Sequence, residues 1–517
     1  MRLYFLLLLA ITQFSGYSQY VNVEISGQND PNEPSIAVDV SNPKMMLAAA
    51  NLSNYYLSSD SGQTWSSNQI SSTLGVWGDP VVIIDALGNY YFFHLSNPVT
   101  NGNWIDRIVC QKSTDQGQTW SDGTYFGHNG VKDQDKHWVT VDRSNNTMYV
   151  TWTEFDEYGS TNPIHKSRIL FVKSTDAGMT WTSPVVLSTQ EGDCEDSDKT
   201  AEGAVPTVGP NGEVYVAWAI NEEIRFNKST DAGQTWLPTE TVIATQPGGW
   251  NYLIAGLNRC NGLPITICDT SNTSTRGNIY VSWSDQRNGI TDTDIWLIKS
   301  TDDGVTWTNP KRINDDALGT QQFMTWLTVD QSTGIIYSVF YDRRNYTDAQ
   351  TDVYLAYSED GGNNFTNVKI SETAFTPSGF LFFGDYTGIQ AHNGTVRPIW
   401  GRMKNNVQTI QTALIQFDTV TGIEIIKAES GIELDQNYPN PVVSETIIGF
   451  KIRRSGRVTI SVFDMYGREV LTPIRNQEFS YGRHQFSIKV SDGLKSGVYY
   501  YRLSTDKESV TRKMVVN

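Results

Sequence analysis

The chain has 517 residues, 12% of them aromatic, with 42 glycines and 15 tryptophans but only four cysteines. That is ample material for a large core and more than one domain, and no long amphipathic helical period runs through it, so an all-β protein is expected. A formal charge of −17 argues against nucleic acid and anionic membranes as partners.

The first segment, MRLYFLLLLAITQFSGYS, has a short basic start, an apolar run of signal-peptide length and small residues at Gly16 and Ser18. Residues 1–18 therefore read as a signal peptide cleaved before Gln19, since the apolar run is too short to span a bilayer. No further stretch of the sequence reads as transmembrane.

Beyond it one motif recurs six times: SSDSGQTW at Ser58, STDQGQTW at Ser113, STDAGMTW at Ser174, STDAGQTW at Ser229, STDDGVTW at Ser300 and SEDGGNNF at Ser358. The motif aspartates Asp60, Asp115, Asp176, Asp231, Asp302 and Asp360 are 55, 61, 55, 71 and 58 residues apart, which suits one four-stranded unit per repeat. Each Asp can accept backbone N–H bonds across a hairpin turn, the Gly two places later supplies a left-handed conformation, and the closing aromatic packs beneath. These residues are structural. Before each motif stand two strand patterns, such as EPSIAVD with MMLAAAN and HWVTVD with MYVTWTEF. A seventh unit, FFGDYTGIQ with TVRPIWGR and TIQTALIQF, lacks the motif, and YVNVEIS at residues 20–26 can supply its fourth strand. Seven units are favoured, although a six-unit parse stays open.

The motif resembles the Asp-box of sialidase-like (BNR repeat) β-propellers, closely in five copies and partially in the sixth, where Asn364 and Phe365 replace Thr and Trp. The resemblance implies a propeller over residues 19–417 and a glycan-directed activity outside the cell.

After a linker at residues 418–432 the character changes. Residues 433–517 carry 13 Lys and Arg against 9 Asp and Glu, which leaves 26 against 47 for the rest. NYPNP, DMYGREV and SGVYYYRL within them read as a small β-sandwich, and they resemble the type A sorting domain of the type IX secretion system. That resemblance implies the outer-membrane export machinery as a partner and a secreted or cell-surface location.

Cys260 and Cys268 share one insertion, so a disulfide between them is a candidate, while the pairing of Cys110 and Cys194 stays open. No metal motif joins the six His and four Cys. No cofactor is required, and calcium could occupy an acidic mouth.

In a propeller, the starts of the first strands and the ends of the second converge on one mouth of the central channel. The starts give Glu33, Asp79, Asp135, Glu202, Gln322 and Asp385; the ends give His94, Glu154, Asp156, Asp285, Arg287, Asp342, Arg343, Arg344 and Arg402. Glu202, Asp79, Asp385 and Tyr386 are the candidate catalytic residues. Glu33, Asp135, Asp285, Asp342 and the arginines Arg287, Arg343 and Arg402 are candidates for binding an acidic sugar. Tyr341 is a further possible nucleophile. The structural alternative is that SDQR and YDRR are ion pairs between neighbouring strands. Sialidases carry an Arg in an Arg-Ile-Pro segment ahead of their first box, and NEPSIAVD stands there instead. The expected activity is an exo-glycosidase of sialidase type; the alternatives are a non-catalytic glycan- or protein-binding propeller and a polysaccharide lyase using Tyr, His94 and Arg.

Overall fold

The computed structural model describes residues 20–98, 105–418, 422–425, 432–452, 456–480, 482–505 and 509–517. The expected signal peptide, residues 1–18, and most of the expected linker, residues 418–432, lie outside them. The chain divides into two compact units, Met1–Ile426 and Lys427–Asn517.

Seven antiparallel sheets make the first unit a seven-bladed propeller. The innermost strands, in blade order, are Ser35–Val38, Gly78–Ile84, Asp133–Asp142, Glu202–Val208, Ile265–Cys268, Gln322–Val329 and Gly388–His392. Each touches the inner strands of its two neighbouring blades, and the seventh touches the first, so the ring closes. Blades one to six are consecutive four-stranded meanders. The seventh joins Thr395–Lys404 and Val407–Asp418 to Val21–Ser26 from the start of the unit, with Val21 opposite Leu414 and Val23 opposite Thr412. The repeat count and the closing role of residues 20–26 both hold.

Every Asp-box occupies the turn between the third and fourth strands of its blade. In all six copies the Ser hydroxyl donates to the Asp carboxylate at 2.7–2.9 Å and accepts the Gly N–H at 2.8–2.9 Å, while the carboxylate accepts the N–H four residues on at 2.8–2.9 Å. In the sixth copy Asn364 Nδ2 donates to Asp360 at 2.7 Å, where the other copies use the Thr hydroxyl.

The boxes also fasten each blade to the one before it. Trp120, Trp236 and Trp307 pack edge-on against Tyr55, Phe171 and Phe226 of the preceding blade. Gly117, Gly233 and Gly304 face Leu57, Phe171 and Phe226, where a Cβ would come within 2.5–2.7 Å of the side chain. From the preceding blade, Lys173, Lys228 and Lys299 donate to the box carbonyls of Ala232, Asp303 and Gly361 at 2.6–2.9 Å. The seventh blade has no box, yet buried Arg397 donates through Nε to Ser61 O at 2.9 Å in the box of blade one. The same device thus operates across the closing seam.

All four cysteines are buried and free. The expected Cys260–Cys268 disulfide does not form. Cys260 lies just before the inner strand of blade five and Cys268 ends it, a separation on the order of 20 Å along extended chain, where a disulfide needs about 4.4–6.8 Å between Cα atoms.

The second unit packs a three-stranded sheet (Ile432–Leu434, Glu445–Ile452, Gly482–Lys489) and a four-stranded sheet (Gly456–Asp464, Glu469–Phe479, Gly497–Ser504, Ser509–Val516) around Ile448, Phe450, Ile460, Val462, Tyr501 and Met514. Its sequence motifs have visible roles. Buried Asn437 of NYPNP donates through Nδ2 to Thr446 Oγ1 at 2.9 Å and through its N–H to Tyr501 Oη at 2.8 Å. Asp464 of DMYGREV accepts the N–H groups of Tyr466 and Arg468 at 2.9 and 3.0 Å. Among the described residues no helix is long and apolar enough to cross a membrane.

Three stability outcomes follow from this architecture. Gly233→Ala combines a left-handed backbone, φ +74, with a clash into Phe171, and is expected to cost roughly 2–4 kcal/mol in chemical denaturation. Gly159→Ala, at φ +74 with open space around it, should cost only the backbone part, about 1–2 kcal/mol. Val23→Pro disturbs the closing strand and is expected to lower the denaturation midpoint by an amount equivalent to about 3 kcal/mol; an unchanged midpoint would mean that the seam contributes nothing.

Candidate functional site

The inner strands of blades two, three, four and six open with a break in register, at Gly78/Val81, Asp135/Trp138, Glu202/Val205 and Phe323/Trp326. Within each break one residue is left-handed: Asp79 at φ 51°, Lys136 at 49°, Gly203 at 77° and Met324 at 51°; Glu33, ahead of the first inner strand, is at 51°. Such bulges re-aim side chains that a regular strand would send into the neighbouring layers.

The outcome is a cluster of opposite charges on one end of the channel. Lys136 Nζ lies 2.7 Å from Asp385 Oδ2, 3.4 Å from Asp79 Oδ2 and 3.9 Å from Glu33 Oε1, so one ammonium joins blades one, two, three and seven. Arg259 reaches in from the connection between blades four and five, with Nε 2.9 Å from Asp385 Oδ1 and Nη1 2.8 Å from Asp196 Oδ2. Asp196 also accepts the Tyr158 hydroxyl at 2.6 Å. Asp135 accepts the Lys136 N–H at 2.7 Å. Tyr386 stacks edge-on against Trp138, centroids 4.9 Å apart, and its hydroxyl is buried without a partner.

Six carboxyl groups thus surround two cations, and their proton affinities separate. Burial, followed by the charges of Asp196 and Asp135, holds Glu202 well above the usual carboxylate range. Burial and Asp79 raise Glu33 in the same way. Asp135 is pushed up to about 7 by burial, against Lys136 and with Asp79 and Asp196. Burial opposes ionisation of Asp385 and Asp196 too, but Lys136 and Arg259 outweigh it and hold both below their ordinary value. Lys136 is kept charged despite burial, chiefly by Asp385 and Asp79.

Glu33, Asp79, Asp135, Glu202, Asp385 and Tyr386 are therefore gathered in one place. The other candidates are not. Arg287 is tied to Asp285 of its own blade at 2.9 Å and lies over the Trp296 ring. Asp342 pairs with Arg344 at 2.9 Å. Arg343 donates to Thr351 Oγ1 and Ala255 O, and Arg402 to Gln411 and Thr373. The three guanidinium groups share no partner, so they form no clamp; each is taken up by the strand or loop beside it. Tyr341 donates to Gly401 O at 2.8 Å. His94 is held between Leu95 O and Gln111 Oε1, and burial lowers it to about 4.

Lys136, Arg259, Asp196 and Tyr158 were not foreseen. Lys136 had a signal in the sequence, because it occupies the repeat position of Glu33 and Asp79, one residue beyond Asp135. Arg259 and Asp196 stand on connections outside the repeat.

A cavity of about 20 Å³ lies at this end of the channel between Lys136, Trp138, Asn261, Trp326, Asp385 and Tyr386, enough for about one water. Trp138 and Trp326, centroids 4.4 Å apart, plug the channel below it. At the opposite end a cavity of about 740 Å³ opens between the inner-strand ends, lined by Arg143, Asn145, Asn211, Gln331 and His392 among others; it holds none of the clustered carboxylates. Among the described residues no group of three or more His, Cys, Asp or Glu side chains is arranged to hold a metal ion.

Residues 436–517 match the family model described as the secretion system C-terminal sorting domain. No curated protein sequence matches the chain. Among solved structures it is similar to the Hadza microbial sialidase Hz136, with 14% identity over 73% of this chain and 74% of that one and a TM-score of 0.41. It is also similar to an α-L-arabinofuranosidase from Fusarium graminearum, with 11% identity over 77% and 98% and a TM-score of 0.44. An ulvan lyase of a polysaccharide lyase family gives 13% identity over 78% and 96% and a TM-score of 0.47. By its own repeats and sheets the chain holds a seven-bladed β-propeller, and its C-terminal residues 436–517 match the secretion system C-terminal sorting domain.

Proposed function

We propose that the propeller is exported through the type IX machinery and acts on extracellular glycans at the carboxylate mouth, as a glycoside hydrolase. The supporting observation is the pairing of Glu202 with Asp196. Two carboxyls feel each other's charge, yet one is held protonated by burial and the other ionised by Arg259 and Lys136. Environments that push two carboxyls apart in this way supply the general acid and the charged partner that glycoside cleavage needs. Asp79 is the most exposed carboxylate around Lys136, with 15% of its side chain accessible, and stands where a sugar would arrive. Asp385, fixed by two cations, anchors the cluster.

The sialidase-type activity expected from the repeats keeps its carboxyl chemistry here and loses its substrate. An acidic sugar needs unengaged guanidinium groups, and both cations of the mouth are already matched by carboxylates. The reading is therefore hydrolysis of neutral, hydroxyl-rich glycans. For lyase chemistry His94 is no base, since both its ring nitrogens are engaged, which leaves the Tyr386 hydroxyl as the candidate. A second reading, a non-catalytic surface propeller, is favoured by the full burial of Glu202 and the small space beside it.

Two measurements bear on this. The purified full chain, given sialylated, uronic-acid and neutral glycans, is expected to release sugar from the neutral set, and Glu202→Gln to lower kcat by about 100-fold or more. Sialic acid release would overturn the substrate class, and binding without release would favour the second reading. The pH dependence of stability tests the protonated carboxyls. Asp135 rises from 3.8 unfolded to about 7 folded, so the folded state holds the extra proton and loses stability as pH climbs. His94 and His137, lowered from 6.5 to about 4 by burial, act in the opposite direction below their unfolded value. Above about pH 7.5, where the unfolded histidines are mostly neutral and the raised carboxyls still release protons, Tm is expected to fall as pH climbs, and Asp135→Asn to reduce the slope.

A further inference from the structure

At the end of the channel opposite the carboxylate cluster, a guanidinium is left without a partner. Arg143 follows the inner strand of blade three, in the turn to the second strand, and lines the cavity of about 740 Å³. Among the described residues its buried Nη1 has no hydrogen-bond partner. Asp39 and Asp85, from the corresponding turns of blades one and two, lend it favourable charge, but their oxygens are already engaged. Asp39 accepts the Ser41 N–H and hydroxyl at 2.8 and 2.7 Å, and Asp85 accepts the Leu87 and Asn89 N–H groups at 2.9 Å and the Tyr91 hydroxyl at 3.0 Å. Asp142, which lines the same cavity, is held by the Ser144 N–H and hydroxyl at 2.9 and 2.6 Å. Arg276 lines it from blade five and donates to Ser271 O at 3.0 Å. Two guanidinium groups thus face this cavity against one satisfied carboxylate, in a chain whose formal charge is −17. A desolvated cation without a counter-charge is costly, and an anion that enters beside it offsets the cost.

We propose that this cavity is a second binding site, for a small hydroxylated carboxylate of the sugar-acid class, with Arg143 as its anchor. A guanidinium takes a planar carboxylate through parallel, charge-assisted hydrogen bonds, and the cavity falls within the roughly 300–1,000 Å³ of small-molecule sites. Hydroxyl groups suit the walls. Each inner strand is the edge of its sheet, so backbone groups that pair with no second strand face the channel. The site is blind. A narrower space of about 170 Å³, which shares Thr140 and Thr328 with the cavity, runs on to Trp138 and Trp326, whose rings close the channel. A ligand therefore enters and leaves by this mouth and does not reach the cluster around Lys136. The two ends differ in charge preference, because Lys136 and Arg259 are matched by carboxylates and Arg143 is not. No part of this site depends on the hydrolase reading.

Isothermal titration of the full chain tests it, with glucuronate, glucose and inorganic phosphate as probes. Glucuronate is expected to bind at one site per chain, more tightly than glucose, and Arg143→Gln to weaken it by about 10-fold or more. Val40→Trp, which narrows the mouth and keeps the guanidinium, should also weaken it, and a melting curve for each variant shows whether the fold is retained. Glu202→Gln, at the other end of the channel, should leave the affinity unchanged; loss of binding there would move the carboxylate to the other mouth and overturn the proposal. No binding by the parent, equal affinity in Arg143→Gln, glucose bound as tightly as glucuronate, or phosphate bound in its place would overturn it as well.

Discussion

The ring depends on the bond between each Asp-box and the blade before it. A propeller blade on its own is a twisted sheet with both faces apolar, and it is stable only when its neighbours cover both. The box meets this need with one turn. Its Ser–Asp–Thr network fixes the loop, its Gly admits an aromatic or leucine side chain from next door, and its carbonyl accepts a lysine from the same strand that provides the apolar contact. From the boxless seventh blade, Arg397 fills the lysine's place toward the box of blade one, so the register of blades is carried across the closing seam.

That register brings the inner-strand starts to a common level, and the bulges there turn polar side chains toward the axis. The price is a concentration of like charge in a dry place. Six carboxyls cannot all ionise around two cations, so the excess is absorbed by protons on Glu33, Asp135 and Glu202. Burial first, and then the neighbouring charges, decides which groups can donate a proton and which can only hold a charge.

Much of the fold was legible because it is repetitive: six boxes in register, a seventh unit without one and an orphan strand at the front left few other ways to close the ring. The site was legible to the extent that it shares the repeat. Glu33, Asp79 and Asp385 stand at strand starts and were found there. Lys136 was passed over because reading the third start as Asp135 misjudged the bulge by one residue, and strand patterns alone do not reveal which of two adjacent residues is left-handed. Arg259 and Asp196 belong to connections of irregular length, for which one sequence offers no periodicity. The arginines of SDQR and YDRR looked convergent because every second strand ends on the same side; sequence does not show that Arg287 and Arg344 fold back on the aspartate two places before them. The cysteines failed for a similar reason, since nearness along an extended strand is distance in space.

The seventh blade takes its outer strand from the opposite end of the propeller, and this has a consequence for assembly. Until Val21–Ser26 docks, the edge of Val407–Asp418 presents unpaired backbone groups, and the first six blades form an open arc. Nothing in the register of that edge distinguishes the strand of its own chain from the same strand of a second molecule. Strand exchange between copies, giving dimers joined through residues 21–26 of each, is therefore the misassembly that this topology invites whenever the chain is concentrated before its ring has closed.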